Sequence, residues 1–113
     1  LSDKEGEFAE AAHGIVGLET AVPLLLDRLV RPGVLDLPTL VTRLSAAPAR
    51  LLGLPGGTLA PGAQADVTIL DLDQPWSVNP AAFQSRSRNT PFAGFTGTGA
   101  PWMTLVGGVK VTP

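Results

Sequence analysis

Apolar residues recur at spacings of three and four through Leu18, Val22, Leu25, Leu26, Leu29 and Val30. That period gathers them on one face of an amphipathic helix. Gly17 and Pro23 weaken the pattern, but proline is tolerated in the first turns of a helix. Arg28 and Arg31 suit the C-terminal end, where cations complement the helix dipole, and Arg31-Pro32-Gly33 stops it. Asp36 is the predicted N-cap of a second helix, with Pro38 in its first turn and Leu37, Leu40, Val41 and Leu44 as its apolar stripe. Ala47-Pro48 breaks that run, and Pro48 opens a short third helix that ends at Gly53.

Beyond Gly53 the period becomes strand-like. A turn at Ala60-Pro61-Gly62 leads into a β-rich run through Val67, Ile69 and Leu70. Trp76 to Val78 predicts a further short strand. Trp102 to Val106 and Val109 to Val111 read as a hairpin turning at Gly107-Gly108. Helices come first and strands after, an α+β order without βαβ alternation. A few short strands with one apolar face need a second layer, and the helices do not obviously supply it. The expectation is that this chain packs against something it does not itself contain.

Composition narrows the class. The 113 residues suffice for one small domain, and the 44% hydrophobic content argues against disorder. A formal net charge of −2 gives no electrostatic case for nucleic acid or an anionic membrane. No apolar run approaches the roughly 20 residues that span a bilayer. The absence of cysteine excludes disulfides and thiolate metal sites and fits a cytoplasmic protein. The 13 glycines and 11 prolines cluster at 31–33, 55–62 and 91–101, where they punctuate an ordered chain.

The polar segment 1–10 carries Asp3, Glu5, Glu7 and Glu10 beside Lys4, which reads as a solvated loop anchored by Phe8 more readily than as a cation site. His13 is the single histidine. A metal site would need converging partners, and a serine triad would need a nucleophile on a sharp turn, so its default is a loop residue. Glu19 reads as a helix-start carboxylate facing the N-terminal amides. Asp66, Asp71 and Asp73 take turn and edge roles around a strand. Arg86, Arg88 and Asn89 read as an ion-paired crossing loop in preference to an anion site, since no glycine-rich nest accompanies them. No complete catalytic set and no metal ligand set is legible in the chain.

Four stretches carry a family resemblance: EGEFAEAAHGIVGLETAVPLLLDRLV, LSAAPARLLGL, GTLAPGAQADVTILDLD and FQSRSRNTPFAGFTGTG. Together they resemble the C-terminal quarter of class I dihydroorotases of the amidohydrolase superfamily. The G-x-L-x-x-G-x-x-A-D pattern is shared across amidohydrolases. G-I-V-G-L-E-T-A with a downstream S-x-N-T-P-F is more specific to dihydroorotases.

The resemblance implies an α+β fragment: the last helices of a (β/α)8 metal-dependent hydrolase barrel, followed by the C-terminal strands of its small composite β-sandwich. Residues 1–54 would be the substrate loop and terminal barrel helices, and residues 55–113 the sandwich part. The implied activity is zinc-dependent interconversion of dihydroorotate and N-carbamoyl-L-aspartate in pyrimidine biosynthesis, at the C-terminal mouth of the barrel. The zinc ligands and catalytic aspartate would lie upstream of Leu1, so zinc belongs to the intact parent and to no residue of this chain. Asp3 is not that aspartate, because Lys4 follows where a histidine is required. What the resemblance carries onto this chain is His13-Gly14, a pair expected to contact the substrate through its backbone; glycine permits that close approach. Ala11-Ala12 stands where the family commonly has Ala-Pro. By the same resemblance a homodimer or an aspartate carbamoyltransferase partner is compatible. Two alternatives stay open: a non-catalytic homologue acting as structural partner of aspartate carbamoyltransferase, and another cyclic amidase such as allantoinase or hydantoinase.

Overall fold

The computed structural model describes residues 7, 9–11 and 13–111. The readings placed on Asp3, Lys4, Glu5 and Phe8 lie outside the described residues. Helix α1 spans Leu18–Leu25 and runs without interruption into a π-helical turn, Leu26–Val30. Helix α2, Leu37–Val41, continues through a second π-helical turn, Thr42–Ala46, into α3, Ala47–Leu52. The strands are β1, Val67–Ser77, β2, Thr96–Val106, and β3, Val109–Val111, antiparallel in the order β1-β2-β3.

The expected break at Ala47-Pro48 is not a break. A helical proline lacks an N–H and its ring clashes with the carbonyl four residues back. The backbone absorbs this by widening the preceding turn: Ala47 N–H donates to Thr42 O, five residues back. The same device precedes Pro32, where Arg31 N–H donates to Leu26 O at 2.9 Å. Asp36 caps α2 as expected, its Oδ1 accepting the Thr39 N–H at 2.8 Å. Gly53 ends α3 in the left-handed region at φ 65°, a conformation an alanine would adopt only under strain.

The two strands expected around Ile69 and Trp76 are one long, irregular strand. Val67 pairs with Leu105 and Ile69 with Met103; the register then slips so that Leu70 faces Pro101, and slips again before Pro75 faces Thr98. Both irregularities adjoin prolines, which cannot donate to the ladder and are accommodated at bulges. In the second, Asp71 Oδ1 accepts the Asp73 N–H at 2.9 Å, and Arg31 Nη2 donates to Leu72 O at 2.8 Å. Arg31 therefore ties the helix end to the strand bulge. The hairpin turns at Gly107-Gly108 as expected, and Asp66 Oδ1 accepts the Gly107 N–H at 2.7 Å.

The sheet meets the helices mainly through β2, which packs on α1 and its π-helical extension. The hydrophobic core is thin: Leu26, Leu40, Ala49, Val78 and Ala100 are buried. Meanwhile Leu18 is 93% exposed, Leu51 84% and Leu59 81%. The radius of gyration is 16.3 Å, against about 13 Å for a compact chain near this length. The helices and sheet thus do not close around one core, in keeping with the second layer that burial demands. Among the described residues no helix is long and apolar enough to cross a membrane.

Candidate functional site: the His13-Gly14 loop and its clamp

The segment from His13 to Gly17 precedes α1 as an open loop in which His13, Gly14 and Ile15 are exposed. Gly14 takes φ 64°, a backbone state that glycine enters freely. The loop is held from the far side of the chain by Asn89. Asn89 Nδ2 donates to Gly14 O at 2.7 Å, and Val16 N–H donates to Asn89 O at 2.8 Å. One residue therefore grips the loop by its side chain and its main chain, on either side of Ile15.

Asn89 belongs to a crossing loop between β1 and β2 that is closed at its base. Val78 N–H donates to Phe95 O at 2.8 Å and Gly94 N–H to Val78 O at 2.9 Å. A short 3-10 turn, Pro80–Ala82, follows, capped by Asn79 Oδ1 on the Ala81 N–H at 3.1 Å. Phe92 and Phe95 meet edge to face at 5.6 Å between centroids, and the Arg28 guanidinium lies 5.9 Å from the Phe95 ring centre. The loop is therefore built, with contacts at its base, middle and end.

Glu19 provides the second tie. Its Oε2 accepts the Gln84 N–H and its Oε1 the Ser85 N–H, each at 3.0 Å. The expectation that this carboxylate serves its own helix N-terminus is corrected: N-cap Gly17 makes no side-chain cap bond, and Glu19 spends both oxygens on the crossing loop. The main-chain amides of Gln84 and then Ser85 hold its carboxyl below the ordinary value of 4.5, because they favour the charged form. Arg88 turns back on its own loop, donating to Ser85 O and Ser87 O, and Arg86 is exposed. Among the described residues these contacts agree with the crossing-loop reading of this segment, with Arg88 bound to carbonyls.

Asp66, Asp71 and Asp73 take the turn and edge roles expected of them. Besides Gly107, Asp66 accepts from Gln64 Nε2 at 2.8 Å, and Asp73 lies 3.9 Å from Arg31 Nη2. Among the described residues no three of His, Cys, Asp or Glu come together as a metal site. Zinc therefore does not fit the residues described here. Two clefts among the described residues are lined mainly by apolar groups. One of about 450 Å³ lies between Val22, Leu40 and Leu44 and the start of β1, and the other runs along Leu24, Leu25, Leu29, Phe92 and Phe95.

Sequence reasoning did not find the Asn89 clamp or the use of Glu19. Their one signal is that the two most specific motifs of the chain, GIVGLET and SRNTPF, contain Glu19 and Asn89 respectively. Two motifs at opposite ends of a sequence often touch, and these two do.

Residues 9–112 match the amidohydrolase family. The chain is 51% identical over 106 residues to a dihydroorotase of Pelotomaculum thermopropionicum, covering 94% of this chain and 25% of that protein. It is likewise 51% identical over 108 residues to a dihydroorotase of Syntrophus aciditrophicus, covering 96% of this chain and 25% of the relative. Among solved structures, L-hydantoinase (dihydropyrimidinase) of Arthrobacter aurescens superposes with a TM-score of 0.85 at 41% identity, covering 91% of this chain and 23% of that one. D-hydantoinase of a Bacillus species superposes with a TM-score of 0.82 at 25% identity, covering 92% and 23%. The chain thus spans about a quarter of the length of the relatives it matches. With a match that runs from the candidate loop to the last strand, this chain belongs to the amidohydrolase family.

Proposed function

We propose that this chain is the C-terminal portion of a dihydroorotase, a hydrolase that opens the ring amide of dihydroorotate to N-carbamoyl-L-aspartate and closes it in the reverse direction. In hydrolysis water adds to the ring carbonyl carbon and the ring C–N bond breaks. The carbonyl carbon becomes a carboxylate, the departing nitrogen takes one proton of the water, and the other proton is released. The observation that carries this reading is identity of about one half to dihydroorotases along nearly the whole chain. A second cyclic amide is favoured by one specific observation, the 41% identity to L-hydantoinase at a TM-score of 0.85. That reading keeps the bond broken and changes the ring.

In this proposal residues 1–54 supply the substrate loop and the terminal helices of a barrel, and residues 55–113 part of a composite sandwich. The exposed apolar surface would be covered by the remainder of the longer protein. Zinc would be held by residues outside this chain, as would the group that moves the proton. The contribution of this chain is His13-Gly14, whose main chain would contact the ring of the substrate; the exposure of both residues and the φ of Gly14 suit a backbone contact. The imidazole would have no chemical part. Location in the cytoplasm, a homodimer and an aspartate carbamoyltransferase partner belong to the same reading.

The test is an assay of the full-length protein, with its zinc content measured, against dihydroorotate, hydantoin and dihydrouracil. Turnover of dihydroorotate well above the other two supports the proposal. Preference for hydantoin or dihydrouracil replaces it with the second reading. Absence of zinc and of all turnover in a folded protein points to a non-catalytic homologue.

A further inference from the structure

We infer that the first half of β1, Val67 to Ile69, is an open pairing edge that takes one further extended segment of the longer protein. Apolar side chains of that segment seat in the cleft beside α2. The inference rests on the reading of this chain as a portion of a longer polypeptide. It goes beyond the covering of exposed apolar surface, because an added strand extends the sheet in its own plane.

A sheet has two edges, and the groups an edge strand turns outward invite another strand unless something blunts them. The far edge is β3, Val109–Val111, three residues long with Lys110 at its centre. A short edge carrying a charge resists pairing. The near edge is β1, and its second half is blunted as well. The register slips before Pro75, Asp71 and Asp73 bring carboxylates, Pro75 has no N–H, and Leu72 O is taken by Arg31 Nη2 at 2.8 Å. The first half has none of these devices. Val67, Thr68 and Ile69 hold a regular register against Leu105, Thr104 and Met103, and all three are β-branched and uncharged. The adjoining carboxylate, Asp66, is turned to the Gly107 N–H at 2.7 Å and to Gln64 Nε2 at 2.8 Å.

In an antiparallel ladder consecutive residues turn their N–H and C=O alternately towards the partner and away from it. Among the described residues, the backbone of Val67, Thr68 and Ile69 makes no hydrogen bond beyond its ladder with β2. The cleft of about 450 Å³ borders Asp66, Val67 and Thr68 in succession and is walled opposite by Leu40, Val41 and Leu44. Successive strand residues point to opposite faces, so a cleft bordered by consecutive ones meets the strand along its edge. Filling it with apolar groups alone would leave the outward N–H and C=O without water or partner. An extended backbone supplies those bonds at strand spacing, and its alternate side chains enter the cleft.

The occupant comes from the same polypeptide. The chain covers 25% of the dihydroorotases it matches and 23% of the L-hydantoinase, so most of each relative's length lies outside it. A segment tethered in one polypeptide meets the edge at high effective concentration, whereas a second copy is diluted in solution.

Hydrogen exchange of the full-length protein, resolved at the single amides of Val67, Thr68 and Ile69, tests this. With a strand on both sides all three amides are bonded, and each should exchange at least roughly a hundredfold more slowly than in an unstructured chain. An unpaired edge leaves every second amide to water, so a fast amide among the three overturns the inference. p-Benzoylphenylalanine in place of Thr68, which is exposed, identifies the occupant by photo-cross-linking and mass spectrometry. A cross-link within one polypeptide, to a segment outside residues 1–113, supports the inference; a cross-link between two copies overturns it. Dihydroorotate turnover of the same preparation is read separately. Slow exchange without turnover removes the proposed function and keeps the edge, whereas a fast amide with turnover removes the edge and keeps the function.

Discussion

Asp27 and Thr98 join the helical half of the chain to the sheet: Asp27 Oδ1 accepts the Thr98 N–H at 3.0 Å across 71 positions. The bond forms because Gly97 lets β2 come close. A Cβ on Gly97 would sit 2.6 Å from Trp76 Cζ2 and 2.7 Å from Asp27 Cγ. Gly97→Ala is therefore expected to destabilise by about 1–3 kcal/mol through overpacking, and Asp27→Ala by about 1.5 kcal/mol through the lost charged acceptor. Urea unfolding with both single variants and the double checks this. The double variant should lose less than the sum, because both changes break the same junction.

Glu19 makes stability depend on acid. Its folded-state pKa lies below the ordinary 4.5, so its contribution is fully present above that value and is lost as pH falls through the folded pKa. Glu19→Gln should be less stable than the parent at neutral pH. The gap should begin to narrow below about 4.5 and close only as pH falls through the lower folded-state pKa, where the parent carboxyl also becomes neutral. A gap that is constant across the titration would remove the carboxylate's charge from the account.

The two members of the candidate loop pair should respond differently. His13→Ala leaves the backbone in place and is expected to hold KM for dihydroorotate within about twofold. Gly14→Ala forces a side chain into φ 64°, costing about 1 kcal/mol in the left-handed region, and is expected to raise KM roughly fivefold. Kinetics on the full-length protein decide it. A large loss in His13→Ala would return the imidazole to the chemistry.

The 113-residue chain on its own should associate. Leu18, Leu51, Leu59 and Trp102 stand exposed at 93%, 84%, 81% and 60%. Surface of this kind seeks cover from another protein surface or from its own copies. Sedimentation should show species larger than a monomer at micromolar concentration, and a cooperatively unfolding monomer would count against a missing layer.

Much of the local structure follows from short-range chemistry. Period three-and-four apolar residues make α1, Asp36 caps α2, Gly53 closes α3 and Gly107-Gly108 turns the hairpin, each through interactions a few residues long. Such features are legible without coordinates because the partners are neighbours in the chain. The expectation of a further layer also comes from the sequence, since burial asks for one, and the exposed Leu18, Leu51 and Leu59 agree with it. What only the tertiary structure decided are the bonds that cross the chain. The helix stops before Pro32 as its sequence predicts, whereas Pro48, which reads as a break, is passed by a widened helical turn. Glu19 abandons its helix for Gln84 and Ser85, and Asn89 reaches back to Gly14. A carboxylate or an amide binds whichever unpaired amide or carbonyl the fold sets beside it, and no local pattern specifies a partner more than sixty residues away.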